Sequence, residues 1–259
     1  MHDQVKDSLA GKHAIITGGG SGIGASIADK LDELGAHISL MGRTEKTLRQ
    51  KSSHLSNTQT IPADVTDDRS VRQAFARAQE NFGPVSILIN SAGLAASAPF
   101  ARTDNRLWSS MLNVNLNAVF YCCREALPAM QESNWGRIIN IVSVAGLKGY
   151  AYVAAYCASK HGAIGLTRSL AIETAKTGIT VNAICPGYTD TEMLHGAIDH
   201  IIDKTGMERG QVQDQLKTNN PQKRFIRPAE VAAAVAWLCL PGSESVTAQA
   251  LPIAGGEIM

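Results

Sequence analysis

The chain has 259 residues, 44% hydrophobic and 18% charged, with a formal net charge of +1. That length and apolar content suit one large core, and the near-neutral balance argues against nucleic acid or an anionic membrane surface as a partner. Five scattered cysteines (Cys122, Cys123, Cys157, Cys185 and Cys239) form no CxxC pair and no zinc-spaced cluster, so reduced buried thiols and no metal site are expected.

The first residues, MHDQVKDSLAGKH, are polar and lack the apolar core of a signal peptide. No run approaches the ~18 apolar residues of a membrane span. A soluble, cytoplasmic protein is expected. Short β-type runs then alternate with helical patterns. Residues 13–17 read as a strand, 22–35 as a helix, 37–41 as a strand, 45–55 as a helix and 58–62 as a strand. The pattern continues with a helix at 67–83, a strand at 86–90, a long helical stretch at 105–133 and a strand at 137–143. A helix at 152–176, a strand at 179–185, a polar-apolar insertion, a helix at 228–239 and a strand at 249–254 complete the chain. Seven strands separated by helices predict a parallel sheet covered on both faces, and the strands are the continuous apolar runs such burial requires. The expectation is an α/β fold: one doubly wound Rossmann-type domain over residues 1–259. Its binding crevice should lie at the carboxyl ends of the strands.

TGGGSGIG (17–24) links the first strand to the first helix. Its glycines permit positive φ and close backbone approach, and the following helix amides favour a negative group. Gly18, Ser21, Gly22, Ile23 and Gly24 are therefore candidate contacts to a dinucleotide's phosphates. The second strand ends in MGRTEK, with Arg43 and Thr44 where a carboxylate would select a free ribose hydroxyl. Arg43 can fork onto a phosphate, so NADP(H) is favoured over NAD(H). Asp64 and Val65 follow the third strand as candidate adenine contacts, although Asp64 also reads as a turn or N-cap residue. NSAG (90–93) ends the fourth strand, and Asn90, Ala92 and Gly93 are candidates beside the cofactor. Asn90 reads equally as a brace for the turn.

Tyr156 and Lys160 are four apart in the helical pattern and so share a face. An ammonium beside a phenol favours the tyrosinate and makes it usable in proton transfer near neutral pH. Ser143 ends the fifth strand, thirteen residues before Tyr156. Asn115 lies inside the long helical stretch, where asparagine has poor propensity; a kink, or a water bridged to Lys160, would explain it.

These residues together resemble the short-chain dehydrogenase/reductase family. The matching stretches are TGGGSGIG, NSAG, Asn115, Ser143, YCASK (156–160) and PGYTDT (186–191), in the family's order, and the resemblance covers roughly residues 10–256. Ser91 departs from the asparagine often found there. The resemblance implies an Asn115–Ser143–Tyr156–Lys160 tetrad. Tyr156 would be the general acid in ketone reduction, Ser143 would bond the substrate oxygen, Lys160 would hold the nicotinamide ribose, and Asn115 would anchor a proton-relaying water. Pro186, Gly187, Thr189 and Thr191 would line the nicotinamide. It further implies a mobile lid at about 190–225 and a homotetramer built on helices 105–133 and 152–176 and on the C-terminal segment.

The ASKHG, GITVNAICPG and VTAQAL stretches are similar to those of type II polyketide ketoreductases and β-ketoacyl reductases. The resemblance to 3-hydroxybutyrate dehydrogenases weakens between Ser143 and Tyr156, where Ala145 replaces a histidine and Lys148 stands at another offset. A small-molecule β-keto thioester or similar hydrophobic ketone is therefore the expected substrate. An NAD-dependent secondary-alcohol or 3-hydroxyacyl dehydrogenase is the alternative. A cofactor sensor without turnover is disfavoured because all four tetrad positions are filled. Met193, Leu194, His195, Trp108 and Tyr152 are candidate substrate walls, each with a packing role as the plainer reading.

Overall fold

The computed structural model describes residues 7–258. Seven strands form the sheet: β1 (His13–Thr17), β2 (His37–Gly42), β3 (Thr58–Pro62), β4 (Ile87–Asn90), β5 (Gly136–Ile141), β6 (Ile179–Pro186) and β7 (Ala250–Ile253). Their spatial order is β3-β2-β1-β4-β5-β6-β7, and every pairing is parallel. The strand order reverses between β1 and β4, so a crevice opens at their carboxyl ends.

Alternation along the strands explains their unbroken apolar runs. Ile16, Leu40, Ile89 and Ile139 point to one face, where they meet Ile27 and Leu31 of α1 (Gly22–Asp32) and Val231 and Val235 of α9 (Pro228–Cys239). Ile15, Met41, Leu88 and Ile138 point to the other. There they meet Val71 and Phe75 of α3 (Asp68–Phe82), Val119 and Met130 of α5 (Ala118–Glu132) and Ala171 of α6 (Ala154–Glu173). Each fully buried isoleucine or leucine contributes about 1.5–3 kcal/mol. α2 (Glu45–Ser52) flanks β2 and β3.

Local signals set the helix ends. Asp67 accepts from Arg69 N at the start of α3, and Gly83 closes it at φ +71°. Pro228 opens α9, and Glu230 reaches back to Arg227 N at 2.8 Å.

The stretch expected as one helix at 105–133 differs in its middle. α4 (Asn105–Leu112) passes into a π-helical segment, Asn113–Asn117, before α5 begins. Ala118 N donates to Asn113 O, five residues back. The insertion between β6 and α9 is also more regular than its sequence suggested. It folds into α7 (Glu192–Thr205) and α8 (Arg209–Lys217), joined at Gly206, with Leu194, Ile198 and Val212 as a core of their own. Among the described residues, no helix is long and apolar enough to cross a membrane. All five cysteines are free and buried.

Candidate active site

The glycine loop does what its composition requires. Gly18 and Gly22 have φ of +66° and +54°, a region that disfavours side chains. A Cβ at Gly18 would stand 2.9 Å from Ala92 Cα, so two loops touch at the switch point. A Cβ at Gly24 would stand 2.3 Å from the Gly18 carbonyl oxygen, which lets α1 start close against β1. Ser21 is the N-cap of α1, and its side chain makes no capping bond. The amides of the first turn, including those of Ile23 and Gly24, are thus left to an incoming anion. This cradle fits a dinucleotide pyrophosphate.

Arg43 and Thr44 are exposed at the carboxyl end of β2. Thr44 is the N-cap of α2 and also makes no side-chain cap. Arg43 has no ion pair among the described residues, and its field adds slightly to the lowering of the Asp64 carboxyl. Asp64 is held mainly by a turn: its Oδ1 accepts from Thr66 N at 2.9 Å and Thr66 Oγ1 at 2.8 Å. Val65 beside it is buried.

The Asn90 side chain turns inward. It donates to Asn140 Oδ1 at 2.8 Å, and Asn140 Nδ2 donates to Thr167 Oγ1 at 2.8 Å. Only its backbone is left to face a ligand. Thr17, which the sequence reading passed over, organises the same turn. Its Oγ1 accepts from Ser91 N at 3.0 Å and Ala92 N at 3.1 Å. Its position directly before the glycines was the available signal.

β5 ends at Ile141, two residues before Ser143. Val142 N still reaches Ile184 O at 2.7 Å. The Ser143 hydroxyl then accepts from Ala145 N at 3.1 Å and opens a single 3-10 turn, Val144–Gly146. The chain returns in α6, where Tyr156 and Lys160 share the face that closes on Ser143. Lys160 is 5% exposed. Its Nζ lies 5.7 Å from the Tyr156 ring centre and donates to Ile141 O at 3.0 Å.

Asn115 is brought to the same place by the π-helical segment. Its Oδ1 accepts from Leu94 N at 3.0 Å, and its Nδ2 donates to Leu94 O at 2.9 Å and to Ser159 Oγ at 3.2 Å. The extra backbone residue of a π turn re-aims a side chain, and such turns concentrate at functional sites. A Cβ at Gly93 would stand 3.4 Å from Asn115 Oδ1 and 3.8 Å from Lys160 Nζ. The loop after β4 therefore meets the tetrad directly. Ser159 was missed because its role is a long-range contact that no local pattern encodes.

The electrostatics correct one expectation. Burial pushes the Tyr156 phenol up to about 12, against the opposing pull of the nearby Ser143 hydroxyl. Burial also pulls Lys160 down to about 8. The lysine does not make the tyrosinate accessible near neutral pH in the protein alone. Its Nζ is turned to the Ile141 carbonyl, and loss of water sets the direction of the Tyr156 shift.

At the far wall, Thr189 is buried, and its Oγ1 donates to Gly187 O at 3.0 Å. Thr191 Oγ1 donates to Thr189 O at 3.2 Å, and its methyl group would lie 3.2 Å from a Cβ at Gly22. The turn after Pro186 thus closes over the glycine loop. Of the substrate-wall candidates, Leu194 packs inside the α7–α8 pair and His195 Nε2 pairs with Asp190 Oδ1 at 2.7 Å. Met193 is exposed. Tyr152 is exposed with φ of +65°, its carbonyl accepting from Ala98 N at 2.8 Å. Trp108 lies beside a shallow hollow with Phe100, Thr103 and Asn105.

Known proteins share this fold and much of this sequence. The short chain dehydrogenase family model matches residues 12–222. A putative ketoacyl reductase of Streptomyces coelicolor is 38% identical over 250 residues, covering 94% of this chain and 95% of that protein. A D-beta-hydroxybutyrate dehydrogenase of Rhizobium meliloti is 34% identical over 252 residues, covering 95% and 98%. Among solved structures, an actinorhodin polyketide ketoreductase with NADPH superposes with a TM-score of 0.90 at 37% identity, covering 95% of this chain and 97% of that one. Levodione reductase gives a TM-score of 0.91 at 29% identity, covering 96% and 98%. By fold and by sequence, the chain belongs to the short-chain dehydrogenase family.

Proposed function

We propose that the protein is an NADP(H)-dependent reductase of β-ketoacyl thioesters or similarly hydrophobic ketones. The observation that carries this reading is the convergence of Ser143, Tyr156 and Lys160 beyond the carboxyl end of β5, opposite the uncapped glycine loop. The nicotinamide would supply the hydride. Gly18, Ser21, Gly22, Ile23 and Gly24 would hold its pyrophosphate, and Ala92, Gly93, Pro186, Gly187, Thr189 and Thr191 its reactive end. Asp64 and Val65 would flank the adenine.

The chain's own residues do the rest. The Ser143 hydroxyl donates to the ketone oxygen and fixes its position. Tyr156, protonated at neutral pH because burial raises its phenol, gives its proton to the same oxygen as negative charge develops there. Lys160 and Asn115 hold the path by which that proton is replaced.

Arg43 and the α2 amides behind Thr44 support a 2′-phosphate, because no carboxylate stands at the end of β2 to repel it. The likeness to a ketoreductase solved with NADPH supports the same choice. Assembly as a cytoplasmic homotetramer belongs to this reading. Exposed Trp108, Phe120 and Ile172 lie on α4, α5 and α6 and suit helix-to-helix interfaces; light scattering tests it.

The deciding experiment is initial rates of NADPH and NADH oxidation with acetoacetyl-CoA, side by side. NADPH-selective turnover is expected. NADH preference would overturn the cofactor assignment and favour an NAD-dependent alcohol dehydrogenase. Tight cofactor binding without turnover would overturn the thioester assignment and direct the search to cyclic and aromatic ketones.

A further inference from the structure

The C-terminal segment returns to the chemical end of the crevice. Gly255 and Gly256 both adopt positive φ, +62° and +91°, and the turn they make sends Glu257 inward. The Glu257 side chain is only 2% exposed. Its Oε1 accepts from the Tyr150 hydroxyl and pairs with Lys148 Nζ at 3.2 Å. Its Oε2 lies 3.3 Å from where a Cβ at Gly187 would stand. Burial raises the Tyr188 phenol, and the nearby Glu257 charge adds to that rise. Lys148 and Tyr150 belong to the loop between Ser143 and Tyr156, the two groups that would hold the substrate oxygen. Lys148 also lies 4.9 Å from the Tyr150 ring centre.

Lys148 is the one cation of that loop. Free, it would attract a substrate carboxylate. Paired, its charge is neutralised by Glu257, so a carboxylate entering here would lose water with no net cation to meet it. A neutral ester or thioester carries no such cost.

We propose that Glu257 is a specificity-determining residue whose carboxylate occupies Lys148 and Tyr150 and so closes this end of the crevice to substrates bearing a free carboxylate. The inference rests on reading the crevice as a ketone-reducing site and deepens it. Masked acids are admitted, and free keto acids are turned away.

The test is the ratio of kcat/KM for acetoacetate to that for ethyl acetoacetate, which carries the same acetoacetyl group without the charge. Glu257→Gln is expected to raise the ratio at least tenfold. Adding Lys148→Met should return it near the wild-type value, because the pair is again net neutral. A purely structural role would lower both rates together; an unchanged ratio, or a rise that persists in the double variant, overturns the proposal. Glu257→Leu carries the same comparison should the glutamine variant fail to fold. If the wild type turns over neither ketone, the β-ketoacyl reading of the substrate fails separately. Calorimetric binding of butyrate then decides: binding at least tenfold tighter in Glu257→Gln supports the selectivity role, and equal affinity overturns it.

Discussion

The Asn115 amide reaches Ser159 Oγ across 3.2 Å, and Ser159 in turn donates to the Tyr156 carbonyl at 2.7 Å. A π-helical segment on one helix is thereby tied to the helix that carries Tyr156 and Lys160. Ser159 is fully buried, so removing its hydroxyl leaves a buried amide proton without its partner. Ser159→Ala is expected to cost about 1–3 kcal/mol in urea denaturation. It should also lower kcat, but by less than Asn115→Ala, because the two Leu94 bonds still hold the asparagine. Loss of stability with kcat unchanged would show that Ser159 only packs the helices.

Tyr156→Phe separates an enzyme from a sensor. The substitution removes one hydroxyl and keeps the ring. Loss of general acid catalysis is worth roughly 10²–10⁴ in rate. The expected result is that fall in single-turnover NADPH oxidation, with NADPH affinity by fluorescence titration kept within about threefold of wild type. A variant retaining most of its rate would remove Tyr156 from the chemistry.

Arg43→Asp tests the phosphate end alone. Arg43 is exposed and remote from Tyr156, so thermal stability should not change. A carboxylate there repels a 2′-phosphate and accepts from a free ribose hydroxyl. The ratio of kcat/KM with NADPH to that with NADH should fall about 100-fold or more. An unmoved ratio would place the discriminating group elsewhere.

The features legible in the sequence were those with a local cause. Gly18 and Gly22 stand in the first turn because their backbones need positive φ, so the cradle was readable at once. Tyr156 and Lys160 share a face by helix geometry alone. The alternation of strands and helices gave the parallel sheet, because strands buried on both faces leave apolar runs. What stayed hidden depends on residues far apart in the chain. The π turn at Asn115 shows only as a poor helix former until Leu94 and Ser159 meet it. Glu257 lies more than a hundred residues beyond Lys148, with nothing between them to announce the pair. The direction of the Tyr156 shift is hidden as well: sequence places an ammonium nearby, but only packing reveals how much water both groups lose.

Lys160 supplies the last prediction, in which stability and function pull apart. Burial lowers its folded pKa from 10.5 to about 8. Below pH 8 the native state must hold a desolvated ammonium, a penalty on the order of 3 kcal/mol. Between about pH 8 and 10.5 the unfolded chain binds more protons than the folded one, so rising pH relieves the penalty and wild-type stability rises from this group. Lys160→Met has no such proton to lose. It does leave the Ile141 carbonyl without its donor, a cost of ~1–3 kcal/mol that does not vary with pH. Urea denaturation at pH 7, 8.5 and 10 should therefore show the variant's stability relative to wild type declining by roughly 2–3 kcal/mol across the series. The variant should be inactive throughout. A difference that stays flat with pH would mean that Lys160 keeps its ordinary titration in the folded protein, and that its charge is not held at the expense of stability. A declining one would show that the fold tolerates a destabilising cation beside Tyr156, as expected of a group retained for chemistry.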